Sequence, residues 1–323
     1  MELADAVLAG DRLALARLLS RIENGDSDGQ RELAVLYANG GRAHRVGITG
    51  PPGTGKSTLV NELAKALRAS GDTVAVVAVD PSSPFSGGAI LGDRIRMRDL
   101  AGDPGVFIRS MASRGALGGL SRATGDVVEA LDAAGFQWIL IETVGAGQAE
   151  VDIARTAQTT VVVEAPGLGD DVQAIKAGIL EIADLLVVNK ADLPGAEASL
   201  RALRASLEFG YGSSKEEASD GWLPPLLATI ATQGEGVGEL AAAIRRHGSY
   251  LGASGEGKRR DRRRTEGELE TALRDQLVAR WREGVSEGRL QTALDEVLAR
   301  RQTPRQAAER LAAEPDRARE AER

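Results

Sequence analysis

The pattern of apolar and polar positions changes character twice along the chain. Residues 2–22 place Leu3, Val7, Leu8, Leu15, Leu18 and Leu19 at helical spacing, Asn24-Gly25-Asp26 breaks the pattern, and Gln30 to Tyr37 reads as another short helix. From Arg45 onward, apolar runs of strand length recur at 46–49, 73–80, 105–110, 137–142, 159–165, 184–190 and 226–231. Helical segments at 57–70, 89–101, 121–134, 171–182 and 195–209 separate most of them. Strands alternating with helices predict parallel crossovers, hence a doubly wound, mainly parallel α/β sheet. The segment GASGEGKRRDRRR (252–264) reads as a polar, solvated linker. After it, Leu269, Leu273, Leu277 and Trp281, then Leu290, Leu294 and Leu298, repeat every four residues, which predicts two amphipathic helices. The expected organisation is a helical extension at 1–43, an α/β domain at 44–250, and a basic linker with a helical arm at 251–323.

Composition narrows the chemistry. Aromatic residues are 3% of the 323, so the core must be built from Val, Leu, Ile and Ala. A net charge of −7 argues against non-specific nucleic-acid binding. The absence of cysteine excludes disulfides, thiolate metal sites and cysteine nucleophiles, and two histidines, His44 and His247, make a soft-metal site improbable. The first residues have early acids and no uninterrupted apolar core, so they read as neither a secretory signal nor a transit peptide. No stretch reaches the roughly 20 apolar residues of a membrane span. The cytoplasm is the expected compartment.

Residues 50–58, GPPGTGKST, fit the G-x-x-x-x-G-K-[ST] pattern between a strand and a helix. Glycines let such a loop wrap closely around phosphate oxygens, so that the backbone N–H groups of Gly50, Gly53, Thr54, Gly55 and Thr58 converge on them, with Pro51 and Pro52, which carry no N–H, as the remaining residues lining the loop. Lys56 is expected to reach the outer phosphates, and Ser57 to bind Mg²⁺. After a later strand, Asn189-Lys190-Ala191-Asp192 suits a guanine site, since Asp192 can accept from the base N1–H and 2-amino group. A further base contact is expected around Ile230-Ala231-Thr232. GTP or GDP with Mg²⁺ is the implied ligand set. Candidate outer acids for the metal are Asp80, Asp93 and Glu142, the last delivered by the apolar run Trp138-Ile139-Leu140-Ile141 to a glycine-rich turn. Gln148, three residues past Gly145, is the candidate for orienting the attacking water, with an exposed loop glutamine as the alternative. Arg109 and Arg114 are further charges near this region.

GPPGTGKST, VDPSSPFSGGAILGDRIRM, SRGALGGLSRAT, IETVGAGQAEVDIA, PGLGDDVQAIKAGI and VVNKAD, in this order over residues 3–250, resemble the MeaB/ArgK-type GTPases, relatives of the methylmalonic aciduria type A protein. The resemblance implies a homodimeric, Mg²⁺-dependent P-loop GTPase. It also implies a chaperone for an adenosylcobalamin-dependent acyl-CoA mutase, usually methylmalonyl-CoA mutase, that gates cofactor loading and protects the mutase. Glu142-Thr143-Val144-Gly145 matches the family's Glu-x-x-Gly, where most nucleotide-binding strands carry aspartate. The resemblance also implies signalling roles for Asp170, Asp171 and Lys176 and dimerisation through the C-terminal helices. It departs from the family at Ile230-Ala231, usually Ser-Ala, leaving the Ala231 N–H to face the guanine oxygen. Competing readings are a metal-delivery GTPase of the same superfamily, which needs Cys and His clusters absent here, a nucleotide-dependent kinase, and a scaffold that binds nucleotide without turning it over.

Overall fold

A computed structural model describes residues 2–80, 97–100, 102–112, 122–143, 149–167, 181–212 and 221–313. It contains two compact units, Met1–Arg260 and Asp261–Arg323. The first is built on a seven-stranded parallel sheet of β1 (His44–Thr49), β2 (Val74–Asp80), β3 (Val106–Ala112), β4 (Trp138–Thr143), β5 (Thr159–Glu164), β6 (Leu185–Asn189) and β7 (Leu226–Thr229). The order is β3-β2-β4-β1-β5-β6-β7, and the pairing is parallel, as the alternating pattern predicts. β1 lies between β4 and β5, where the chain reverses its direction of winding. Ligands of open α/β sheets bind outside the carboxyl ends of strands at such a point.

Alternation along the strands assigns the two faces. Val46 and Ile48 of β1, Val74 and Val76 of β2, Leu140 of β4, Val161 and Val163 of β5 and Val187 of β6 pack against α4 (Lys56–Ala69) and α8 (Val237–Ser254). Val77 and Val79 of β2, with Ile139 and Ile141 of β4, pack against α5 (Arg122–Ala133), α6 (Ala149–Thr156) and the N-terminal helices. Those are α1 (Leu3–Leu8), α2 (Arg12–Glu23) and α3 (Ser27–Leu36). The helical stretch expected over 2–22 is two helices, because Gly10 turns left-handed at φ +87° and Asp11 caps the next helix, accepting from Leu13 N at 2.8 Å and Ala14 N at 3.1 Å. The N-terminal layer also grips the sheet edge. Arg12 donates to the carbonyls of Pro104 and Val106, and Arg109 donates to Glu23 at 2.5 Å and Ser20 at 3.2 Å. Arg109 is thus a structural tie. The helix α7 (Ala196–Gly212) covers β6 and β7.

The basic segment 252–264 departs from the linker reading. It completes α8 and opens a long helix, α9 (Glu256–Gly284). Its arginines find acids one turn away, Arg259 with Glu256 at 2.7 Å, Arg262 with Glu266 at 2.8 Å and Arg264 with Glu268 at 3.0 Å. Such pairs add a few tenths of a kcal/mol each to a helix. Arg260 instead reaches inward and forks onto Asp184, with both bonds at 2.9 Å.

That fork belongs to a buried polar network at the amino ends of the strands, on the sheet edge away from the phosphate loop. His44 Nε2 and His247 Nδ1 each lie 2.8 Å from Thr159 Oγ1. His247 Nε2 sits 3.3 Å from Asp184 Oδ1, off the hydrogen-bond axis. Asp184 also accepts from Thr160 N at 2.8 Å, and its carbonyl accepts from Trp222 Nε1 at 2.7 Å. The two histidines, far apart in sequence, therefore share one hydroxyl. On the opposite face, Asp132 accepts from the N–H groups of Gly41, Arg42 and Ala43 and from Arg45. Burial alone would raise its pKa, but these donors hold it below the usual carboxylate range.

The second unit holds the rest of α9, α10 (Glu287–Leu298) and α11 (Pro304–Ala313). Two helices were expected beyond the linker, and the third is α11. Its start is a reciprocal cap: Thr303 N donates to Gln306 Oε1 at 3.0 Å, Gln306 N donates to Thr303 Oγ1 at 3.3 Å, and Pro304 holds the first helical position. Among the described residues no helix is long and apolar enough to cross a membrane.

Candidate functional site

β1 delivers the loop 50–55 to the carboxyl edge of the sheet, and α4 leaves from Lys56. The glycines of the loop are there for close approach. A Cβ on Gly50 (φ +139°) would lie 2.0 Å from the Val163 carbonyl oxygen of β5. One on Gly55 (φ +89°), the N-cap of α4, would lie 2.5 Å from Asn189 Nδ2. Gly53 is also left-handed, at φ +83°. With glycine as N-cap, no N-cap side chain takes the free N–H groups of the first turn of α4, and these with the positive dipole end suit an anion. Thr54 closes the loop by donating to the Pro51 carbonyl at 3.0 Å.

Lys56 is buried, and its ammonium donates to the Gly50 and Pro51 carbonyls at 2.8 Å each. These bonds tie the cation to the backbone of the loop. Ser57, the next residue, donates its hydroxyl to Glu142 Oε1 at 2.6 Å, and both side chains are buried. Strand alternation explains the meeting: Glu142 shares the face of Trp138 and Leu140, which is the face covered by α4. A hydroxyl and a carboxylate, with no thiolate or imidazole, are the oxygen donors that suit a hard divalent cation such as Mg²⁺. Asp80 ends β2 on the same edge. Asp93, Gly145, Gln148, Arg114, Asp170, Asp171 and Lys176 lie outside the described residues, as does most of the helix expected at 89–101 and at 171–182.

The base motif follows β6 on the same edge. Asn189 is buried and acts as a cross-brace: its Nδ2 donates to the Thr54 carbonyl at 2.8 Å, while its Oδ1 accepts from Thr229 Oγ1 and Ala231 N at 3.1 Å each. Lys190, left-handed at φ +58°, reaches back to the Gly53 carbonyl at 2.7 Å. The Ala231 N–H, expected to face a guanine oxygen, is therefore engaged with Asn189. Asp192 and Thr232 are exposed at the rim, and Ile230 is partly buried. The geometry thus joins phosphate loop, Glu142 and base motif into one site. It adds Thr229, which the sequence reading passed over, as a partner of Asn189, and gives Thr54, already expected in the phosphate loop, the further part of accepting from Asn189. A threonine at the carboxyl end of a strand neighbouring the Asn-Lys-x-Asp strand is the signal that could have found Thr229.

Comparisons with known proteins place the chain in a family. The family model described as methylmalonyl Co-A mutase-associated GTPase MeaB matches residues 15–286. A Pyrococcus horikoshii protein named as a GTPase is 51% identical over 272 residues, 84% of this chain and 85% of that protein. The mitochondrial methylmalonic aciduria type A homolog of Mus musculus is 35% identical over 266 residues, 77% of this chain and 63% of that protein. Among solved structures, that of the LAO/AO transport system kinase is similar with a TM-score of 0.69 at 26% identity, covering 97% of this chain and 96% of the other. The phosphate loop, the Glu-bearing strand and the braced Asn-Lys-x-Asp motif remain its candidate site, and the chain is a GTPase that belongs to the methylmalonyl-CoA mutase-associated GTPase (MeaB) family.

Proposed function

We propose that this GTPase is a Mg²⁺-dependent, homodimeric chaperone of an adenosylcobalamin-dependent acyl-CoA mutase, most simply methylmalonyl-CoA mutase. In this reading it acts in the cytoplasm and gates loading of the mutase with its cofactor. The observation that carries the partner is the match of residues 15–286 to a family described by its association with that mutase. Support for the chemistry comes from the buried Ser57–Glu142 bond, which joins the phosphate loop to the strand leading into 144–148.

Each residue has a role in this reading. Lys56 exchanges its two carbonyl bonds for the outer phosphates and neutralises them. Ser57 and Glu142 would hold Mg²⁺, with Asp80 and Asp93 as further candidate acids for it. When bound, Mg²⁺ would supply positive charge against the outer phosphates. Gln148 orients the attacking water, and Gly145 lets the turn respond to the phosphate. Asp192 accepts from the guanine edge. Asn189, the stem of Lys190 and Ile230-Ala231-Thr232 shape the base pocket. Dimerisation is assigned to the C-terminal helices, where Leu269, Leu273 and Leu277 are exposed.

The test is GTP turnover with and without purified mutases, together with capture of the mutase by this protein loaded with GDP and then with a GTP analogue. Stimulated turnover and nucleotide-dependent capture of one mutase are the expected results. A turnover that no mutase changes, with no complex in either state, would overturn the chaperone reading.

A further inference from the structure

Glu142 and Thr143 are consecutive in β4 and so project to opposite faces of the sheet. Glu142 meets Ser57 on the α4 face. Thr143, on the other face, donates its hydroxyl to Thr49 Oγ1 at 3.2 Å. Pairing of Ile48 with Glu142 in the parallel register sets Thr49 and Thr143 side by side. Thr49 is the last residue of β1, immediately before Gly50 of the phosphate loop. Two side-chain bonds, one on each face, therefore pin the end of β4 to the two ends of the phosphate loop.

Both threonines are 1% exposed or less, and Thr143 lies on the strand face of Ile139 and Ile141, which belong to the hydrophobic core. Valine has the same shape and would fill these positions without the cost of burying two hydroxyls. Packing therefore does not account for threonine at both. The two bonds also differ in what they must do. The Ser57 hydroxyl and Glu142 are the groups assigned to Mg²⁺, so their mutual bond is given up or shared when the cation is held. The Thr143–Thr49 bond takes no part in that exchange.

The geometry points to Thr143 as a positioning residue: its bond to Thr49 holds Glu142 in register with the phosphate loop while Ser57 turns to the cation. The inference rests on the metal role proposed above for Ser57 and Glu142. It is tested with Thr143→Val, Thr143→Ser, Thr49→Val and the double valine variant, following the release rate of mant-labelled GDP across a Mg²⁺ titration, with steady-state turnover and melting temperature alongside.

Thr143→Val should raise the half-maximal Mg²⁺ concentration roughly three- to tenfold, the span of a single hydrogen bond. Thr143→Ser should restore it. Thr49→Val should match Thr143→Val, and the double variant should be no worse than either, since both remove one interaction. A Mg²⁺ midpoint unmoved in Thr143→Val, even with a lowered melting temperature, would overturn the inference, as would shifts that multiply in the double variant. Wild-type release indifferent to Mg²⁺ would instead remove the metal role itself, and this inference with it.

Discussion

His247 should make the protein acid-sensitive in a defined window. Its ring is fully buried, 4.7 Å from the Trp222 ring, with Tyr250 stacked beyond, and its neighbours in charge are Asp184, Arg260 and His44. Burial pushes its pKa down to about 4 from 6.5; the Arg260 guanidinium pushes the same way, and Asp184 opposes them. The unfolded chain therefore takes up a proton below about pH 6.5 that the folded chain refuses until about pH 4. Stability from this group is fully present above 6.5 and is lost as pH falls through the window. A depression of 6.5 − 4 = 2.5 at 1.36 kcal/mol per unit is roughly 3 kcal/mol. His44, also pushed down to about 4 by burial and by His247, adds a smaller share because it is partly exposed and coupled through Thr159. The perturbation is His247→Gln, which keeps polar atoms for Thr159 and Asp184 but does not titrate. Urea denaturation followed by tryptophan fluorescence in a Trp281→Phe background reads the first unit, where Trp138 and Trp222 lie. The variant should start about 1–2 kcal/mol less stable at pH 7, from lost ring packing, but lose roughly 2–3 kcal/mol less than wild type between pH 6.5 and 4.5. Parallel stability curves for the two proteins across that range would refute the reasoning.

Other perturbations separate the parts of the site. Lys56→Ala should abolish tight nucleotide binding, by at least about a hundredfold in Kd, measured by mant-GDP titration; retained affinity would remove the lysine from the phosphate site. Gly55→Ala forces a left-handed alanine whose Cβ meets Asn189 Nδ2 at 2.5 Å, so both the phosphate loop and the base brace should shift. A loss of about 1–3 kcal/mol in stability together with weakened GDP binding is expected. Gln148→Ala should slow turnover while sparing GTP affinity, and single-turnover hydrolysis at wild-type rate would exclude it from water positioning. Arg260→Ala leaves the Asp184 carboxylate with a buried N–H and no guanidinium fork; chemical denaturation should show a loss of about 1–3 kcal/mol, discounted for the partial exposure of Arg260.

What could be read from the chain depended on how local each feature is. The phosphate loop is contiguous, so its glycines, Lys56 and Ser57 announce themselves, and the structure only adds why Gly50 and Gly55 admit no side chain. The strands were legible because a Val/Ile/Leu run buried on both faces is distinctive in a protein with few aromatics. The start of α9 was not, because a run of arginines looks solvated until its members are matched with acids a turn away or, for Arg260, with Asp184. The network of His44, Thr159, Asp184, His247 and Arg260 was least legible, since five elements contribute one side chain each. Yet strand parity already contains part of it: His44 lies on the face of Val46 and Ile48, and Thr159 on that of Val161 and Val163, so both meet α8. The same parity separates Glu142 from Thr143. A two-residue alternation, applied from the first buried position of each strand, thus assigns Glu142 to the phosphate loop, Thr143 to its foot and His44 to the far edge. Only the choice of partner then awaits the register between strands.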